Sequence, residues 1–217
     1  MPQVTNKYIN KIKALTLLNN SYEVVDGKLP ILISAPHSVK QVRELKEKVR
    51  DIGTGHLALY LASKTQSHLI IKSNCKGEVG KTNDDANFCT PHPYKSEILK
   101  IIKSKNIKAL IDLHSLRGTR KTQICIGVNG GANIQQNTDL LAKIVTIFKN
   151  HSFNVSIDYP FNAPLPTVAG YTAKHAQIFS LQFEINSRLI NINHNENKFN
   201  KICRAFKEVI KLLAETL

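Results

Sequence analysis

Ile107-Lys108-Ala109-Leu110-Ile111-Asp112-Leu113-His114-Ser115 is the stretch on which the fold turns. Ile107 to Leu113 is almost wholly apolar, the pattern of a strand buried on both faces. It delivers a histidine at its carboxyl end. Similar runs lie on either side. Ile31 to Ala35 (ILISA) stops at Pro36, and His68 to Lys72 (HLIIK) is a second run. Gln123 to Val128 (QICIGV) ends in Asn129-Gly130-Gly131, a turn signal. Phe153 to Ile157 alternates like a strand, and Ile178 to Ile185 (IFSLQFEI) is a further one. Helical spacing fills the intervals. Leu57 to Ala62 follows Gly53-Thr54-Gly55, with Thr54 read as the N-cap. Pro93 to Lys103 carries one apolar stripe through Ile98, Leu99, Ile101 and Ile102. Leu140, Leu141, Ile144, Val145 and Phe148 make another, and Phe199, Ile202, Phe206, Val209, Ile210 and Leu213 make the last. Pro160 to Gly170 reads as a loop. Strands alternating with helices predict an α/β fold. A single domain spans 1–217, with a mainly parallel or mixed central sheet flanked by helices.

Composition narrows the function classes. Hydrophobic residues make up 42% of the 217, enough to bury a core, which excludes global disorder and a pure coiled coil. The net charge of +14 suits nucleic acid, an anionic surface or acidic substrates without choosing among them. Lysines are dispersed, there is no tryptophan, and no basic helix interleaves aromatics, so nucleic acid is disfavoured as a partner. Cys75, Cys89, Cys125 and Cys203 form no C-x-x-C pair, which argues against a thiolate zinc site. The apolar stretch Ala14 to Leu18 is too short for a signal peptide. No window reaches the roughly 20 apolar residues that span a bilayer. The expectation is a soluble, reducing, cytoplasmic protein without a membrane partner. P-loop, G-x-S-x-G, H-E-x-x-H and G-x-G-x-x-G motifs are all absent.

Ligands of open α/β sheets sit at the carboxyl ends of the strands. His37 lies two residues beyond one apolar run, in Ala35-Pro36-His37-Ser38. His114 ends another, and Glu184 lies near the end of a third, in Gln182-Phe183-Glu184-Ile185-Asn186. If these strands are neighbours, the three side chains converge, as a metal or acid/base site requires. A carboxylate inside an apolar strand needs a cation, a metal or a raised pKa. Its plain alternative is that Glu184 faces water or pairs with Arg188. His68, His92, His151 and His194 read as surface residues, and His56 as an exposed helix start. His175 either reaches the same edge or caps a short helix. Asn83-Asp84-Asp85-Ala86-Asn87 reads as a turn, with substrate hydrogen bonding as the alternative. Arg117 and Arg120 follow His114 closely. Either has the bidentate fork that holds a carboxylate, or both are simply solvated.

Pro36-His37-Ser38, Asp51-x-x-Thr54-Gly55, Asp112-Leu113-His114-Ser115 and Gln182-x-Glu184-Ile185-Asn186 together resemble the N-formylglutamate amidohydrolase family. They occur in that family's order, from about Ile31 to Arg188. The family is similar in fold to zinc carboxypeptidases and aspartoacylases. The resemblance implies one zinc ion (Zn2+) per chain, held by His37, His114 and a carboxylate. Carboxypeptidase-like enzymes place a glutamate three residues after the first histidine, but Lys40 stands there. Asp51 is the favoured ligand and Glu44 the spare. Glu184 then becomes the general base that takes a proton from a zinc-activated water. Arg117 or Arg120 holds a substrate carboxylate, with Asn87 and Tyr171 as further contacts. The family's glycine after Pro-His-Ser and its Asn-Arg pair are replaced here by Val39 and Asn87-Phe88, so the substrate need not be N-formylglutamate.

The resulting expectation is a zinc-dependent amidohydrolase acting on an amide or N-acyl bond of a small anionic substrate. A carboxypeptidase-like peptidase and a non-catalytic nucleic-acid or anion-binding protein are the rival readings.

Overall fold

The computed structural model describes residues 21–73 and 83–217; the Ala14 to Leu18 stretch and Cys75 lie outside them. In chain order the strands are β1 (Tyr22–Val25), β2 (Leu29–Ala35), β3 (Gln41–Arg43), β4 (Lys46–Lys48), β5 (Ser67–Lys72), β6 (Ala109–Leu116), β7 (Ile124–Gly127), β8 (Val155–Ile157) and β9 (Phe179–Asn186). The helices are α1 (Thr54–Thr65), α2 (Pro93–Lys105), α3 (Thr138–Asn150), α4 (Val168–Ala176), α5 (Ser187–Ile190) and α6 (Glu196–Thr216). Seven strands form one sheet in the order β1-β5-β2-β6-β9-β7-β8, and β3 and β4 form a separate hairpin. β5, β2, β6 and β9 run parallel, while β1 is antiparallel to β5 and β7 to β9, with β8 parallel to β7. The sheet is therefore mixed, with a parallel centre. Among the described residues no helix is long and apolar enough to cross a membrane.

Strand alternation decides what each face carries. Ile111 and Leu113 of β6, with Leu181, Phe183 and Ile185 of β9, point into the larger core, which includes residues of α1, α3 and α6. Leu110 of β6 points the other way, into a smaller core shared with Tyr94, Ile98 and Ile101 of α2 and Val168 of α4. Asp112 and His114 follow Leu110 at intervals of two and so share its face. Ser180, Gln182 and Glu184 occupy the corresponding face of β9. The register sets Asp112 opposite Gln182 and His114 opposite Glu184. The polar set thus occupies one face and the apolar set the other.

Several local expectations are corrected. The N-cap of α1 is Gly53, not Thr54; the Thr54 hydroxyl instead donates to the Asp51 carbonyl at 3.0 Å. Gly53 has φ 85°, and a Cβ there would lie 2.3 Å from the Ile190 carbonyl oxygen, so glycine is demanded twice. β6 starts at Ala109, because the Ile107 N–H is taken by the carbonyl of Ile102 at the end of α2. α4 begins inside the expected Pro160–Gly170 loop, with Thr167 accepting from the Gly170 N–H. His68 and His92 are buried rather than surface residues, at 5% and 3% exposure. His68 Nδ1 accepts from the Gly27 N–H, and His92 caps α2 by accepting from the Tyr94 N–H. His151 pairs with Glu208 at 2.8 Å, and His194 is exposed as expected. β1 and the β3–β4 hairpin carry no apolar pattern that would announce them.

Candidate metal centre

Three donor atoms meet at the carboxyl edge of β2 and β6. His37 Nδ1 and His114 Nδ1 lie 3.2 Å apart. Asp51 Oδ2 lies 3.5 Å from the first and 3.2 Å from the second. His37 arrives on the loop after β2, His114 on β6, and Asp51 on the segment leading into α1. That segment is tied back, since the Asp51 N–H donates to the His37 carbonyl at 2.9 Å. The Ser115 N–H donates to Asp51 Oδ2 at 3.1 Å and aims the carboxylate.

Each histidine is held from behind by a buried carboxylate. His37 Nε2 lies 2.9 Å from Asp85 Oδ1, and His114 Nε2 lies 3.1 Å from Asp112 Oδ2. Such a partner fixes the N–H on Nε2 and leaves Nδ1 with its lone pair. With both rings neutral, two lone pairs and a carboxylate oxygen face one another. Tetrahedral ligands about 2.0–2.1 Å from a zinc ion stand roughly 3.3 Å apart. The observed 3.2–3.5 Å spacings match that figure. The donor set therefore fits a divalent cation, and among the described residues it is the one His/Cys/Asp/Glu group with such a convergence.

Electrostatics point the same way. Burial alone would lower the pKa of His37, but its bonds to Asp51 and Asp85 outweigh burial and raise it to about 9. Burial likewise opposes the charged form of His114, and Asp112 together with Asp51 overrides it, moving the pKa well up. Burial would raise Asp51, yet His114 and His37 hold it below the usual carboxylate range. Asp85 is held low against burial by His37 and Arg43. Positive charge is thus strongly favoured at this point, from protons or from a metal.

Glu184 is buried, at 8% exposure, so the wet-face alternative does not hold. No ion pair to Arg188 occurs among the described residues. Burial raises its pKa, against the lowering pull of His114. The Gln182 amide donates to its Oε1 at 3.1 Å. Glu184 is thus beside the donor cage without belonging to it.

The remaining expected residues are dispersed. Glu44 is exposed at the turn of the β3–β4 hairpin and is not among the converging donors. Lys40 pairs with Glu47. Asn87 lies behind His114: its Oδ1 accepts from the Val168 N–H at 2.8 Å, which turns its Nδ2 to within 3.2 Å of His114 Nε2. Tyr171 is on α4, with Lys95 Nζ 5.2 Å from its ring centroid and His175 at 4.2 Å. Arg117 and Arg120 are exposed on the loop after β6, and Arg120 lies 5.8 Å from the Phe161 ring centroid. Sequence reasoning missed Arg43 altogether, and it read Asp85 only as part of a turn or a substrate contact, not as the partner of His37. Asn83 to Asn87 is not a free turn, for Asp84 and Asp85 are buried within ion pairs. The signal available for Asp112 was its place two residues before His114, on the same strand face.

The chain has a zinc-carboxypeptidase-like fold. Among solved structures it is similar to the N-formylglutamate amidohydrolase of Ralstonia eutropha JMP134, with a TM-score of 0.65 and 13% identity over 90% of this chain and 97% of that one. A bacteriophage poly-gamma-glutamate hydrolase gives 0.55 and 16%, over 93% of each chain. A metallo-carboxypeptidase of Burkholderia cenocepacia gives 0.57 and 13%, over 97% of this chain and 69% of that one. No family model and no curated protein sequence matches the chain.

Proposed function

We propose that the chain is a metal-dependent hydrolase, most consistent with zinc, that cleaves an amide or N-acyl bond in a small anionic substrate. The observation that carries this reading is the cage of His37 Nδ1, His114 Nδ1 and Asp51 Oδ2 with a buried glutamate beside it. The fold it shares with enzymes named as amidohydrolase, poly-gamma-glutamate hydrolase and metallo-carboxypeptidase supports it. Bound there, a divalent ion would supply Lewis acidity and a water of lowered pKa.

His37, His114 and Asp51 would hold the ion. With three protein donors rather than four, such an ion would stay open to water or substrate, as in catalytic rather than structural sites. Asp85 and Asp112 keep the two imidazoles in the ligating tautomer. Glu184 is the general base. Burial raises its pKa, which strengthens it as the base that takes a proton from water and returns it to the departing amine. Gln182 holds one of its oxygens in place while the proton moves. The net charge of +14 draws anionic substrates to the molecule from a distance.

The test is Glu184→Gln, assayed on a panel of N-acyl amino acids with metal content measured in parallel. Turnover should fall about 10²- to 10⁴-fold with metal retained. Undiminished turnover would remove Glu184 from the role of base.

A further inference from the structure

Arg43 is the arginine built into the framework of the metal cage. Its Nε donates to Asp85 Oδ2 at 2.9 Å, and its Nη2 donates to the same oxygen. The other oxygen of Asp85 takes His37, and the Asn87 N–H also donates to that carboxylate. One buried carboxylate thus joins a guanidinium to a metal ligand. The guanidinium carbon lies 5.1 Å from the ring centroid of Phe88, which supports its flat side. The strand bearing it is pinned as well. The Asp84 N–H donates to the Val42 carbonyl at 2.8 Å, and the Glu44 N–H donates to Asn83 Oδ1 at 2.7 Å.

This seating leaves part of the group free. The Arg43 side chain is 35% exposed while Asp85 is 1% exposed, so the guanidinium stands between the buried carboxylate and solvent. Nε and Nη2 are committed, and Nη1 has no protein acceptor among the described residues. A guanidinium already fixed by a carboxylate and a ring loses little freedom when it binds a second anion. Arg117 and Arg120 lack such a tie: both are exposed, and among the described residues no hydrogen bond of their side chains links them to the cage.

The carboxylates around the cage outnumber the charge of one divalent ion. Lys72 offsets Asp84, and Arg43 offsets Asp85. Asp51, Asp112 and Glu184 remain, three carboxylates against one divalent ion. An anionic substrate entering that field is met best by a nearby cation with donors to spare, and Arg43 stands one shared carboxylate away from the ligand His37.

We infer that Arg43 recognises the anionic group of the substrate, a carboxylate lying away from the scissile bond, through its free Nη1 edge. The inference rests on the proposed hydrolase reading and deepens it. Arg43 is then the determinant of anion specificity in place of Arg117 or Arg120.

Glutarate and butyrate test this, because they differ only in the second carboxylate. Affinity for each is measured by calorimetry on the zinc-loaded full chain, and the ratio is compared between variants. The wild type should prefer glutarate by about 10- to 100-fold, the range of a charge-assisted pair. Arg43→Gln should erase that preference. Should Arg43→Gln lose zinc, Arg43→Lys decides: a reduced preference at full zinc supports the assignment, and an unchanged one overturns it. A wild type without preference, a preference that survives in zinc-loaded Arg43→Gln, or its loss in Arg117→Gln or Arg120→Gln also overturns it. A chain that takes up no zinc contradicts the hydrolase reading itself, which separates the two failures.

Discussion

Zinc binding to the metal-free chain should expel protons. Around Nδ1 of His37 the structure places Asp51, and behind Nε2 it places Asp85, so the ring is charged up to about pH 9. At pH 7 a ligand of pKa about 9 is about 99% protonated, and a metal must displace that proton. The competition weakens apparent affinity about 100-fold, or about 3 kcal/mol at 1.4 kcal/mol per pKa unit. His114, shifted in the same direction, adds a second proton. We therefore expect one to two protons released per zinc at pH 7. Apparent affinity should rise about 10- to 100-fold per pH unit until pH approaches 9. The assay is calorimetric titration of zinc into chelator-stripped protein, in buffers of differing ionisation enthalpy. No proton release at pH 7, with affinity flat from pH 6.5 to 8.5, would refute the reasoning. The linkage also has a sign in folding. A histidine raised above its unfolded pKa of about 6.5 stabilises the fold fully below that pH. The contribution is lost as pH rises through about 9, so the metal-free chain should melt at a lower temperature at pH 9 than at pH 6.

Two further predictions concern the scaffold. Phe206 packs its ring 5.1 Å from Phe148 and 5.0 Å from Phe183, fully buried, so Phe206→Ala should cost about 3–5 kcal/mol in urea unfolding. Asp84→Ala leaves Lys72, 1% exposed at its side chain, buried without its carboxylate; a loss of about 3–5 kcal/mol is expected, and Lys72→Met combined with Asp84→Leu should recover much of it.

The sheet was legible because its central strands are buried on both faces and therefore mostly apolar. β2, β5, β6 and β9 could each be read from their runs, and His37, His114 and Glu184 stood out as polar groups at the ends of three of them. Asp51 was different. Nothing in its local pattern marks it, and only the family resemblance proposed it as a ligand. The role of Asp85 behind His37, and Arg43 altogether, escaped notice for physical reasons. Asn and Asp in a row have the composition of an exposed turn, and their burial comes from partners far along the chain, Arg43 and Lys72. The hairpin that carries Arg43 is charged and short, so it has no apolar period to read. His68 and His92 failed in the opposite way: each looked isolated in sequence, and each is buried because a nearby backbone N–H needs its ring nitrogen. Long-range polar partnership leaves little trace in a single sequence.

Metal content of the purified chain, measured by mass spectrometry beside His37→Ala, His114→Ala and Asp51→Ala, tests the central claim most directly. The account predicts about one zinc per wild-type chain and loss of the metal in all three variants. A wild type that stays metal-free after incubation with zinc, or variants that keep the metal, would contradict it.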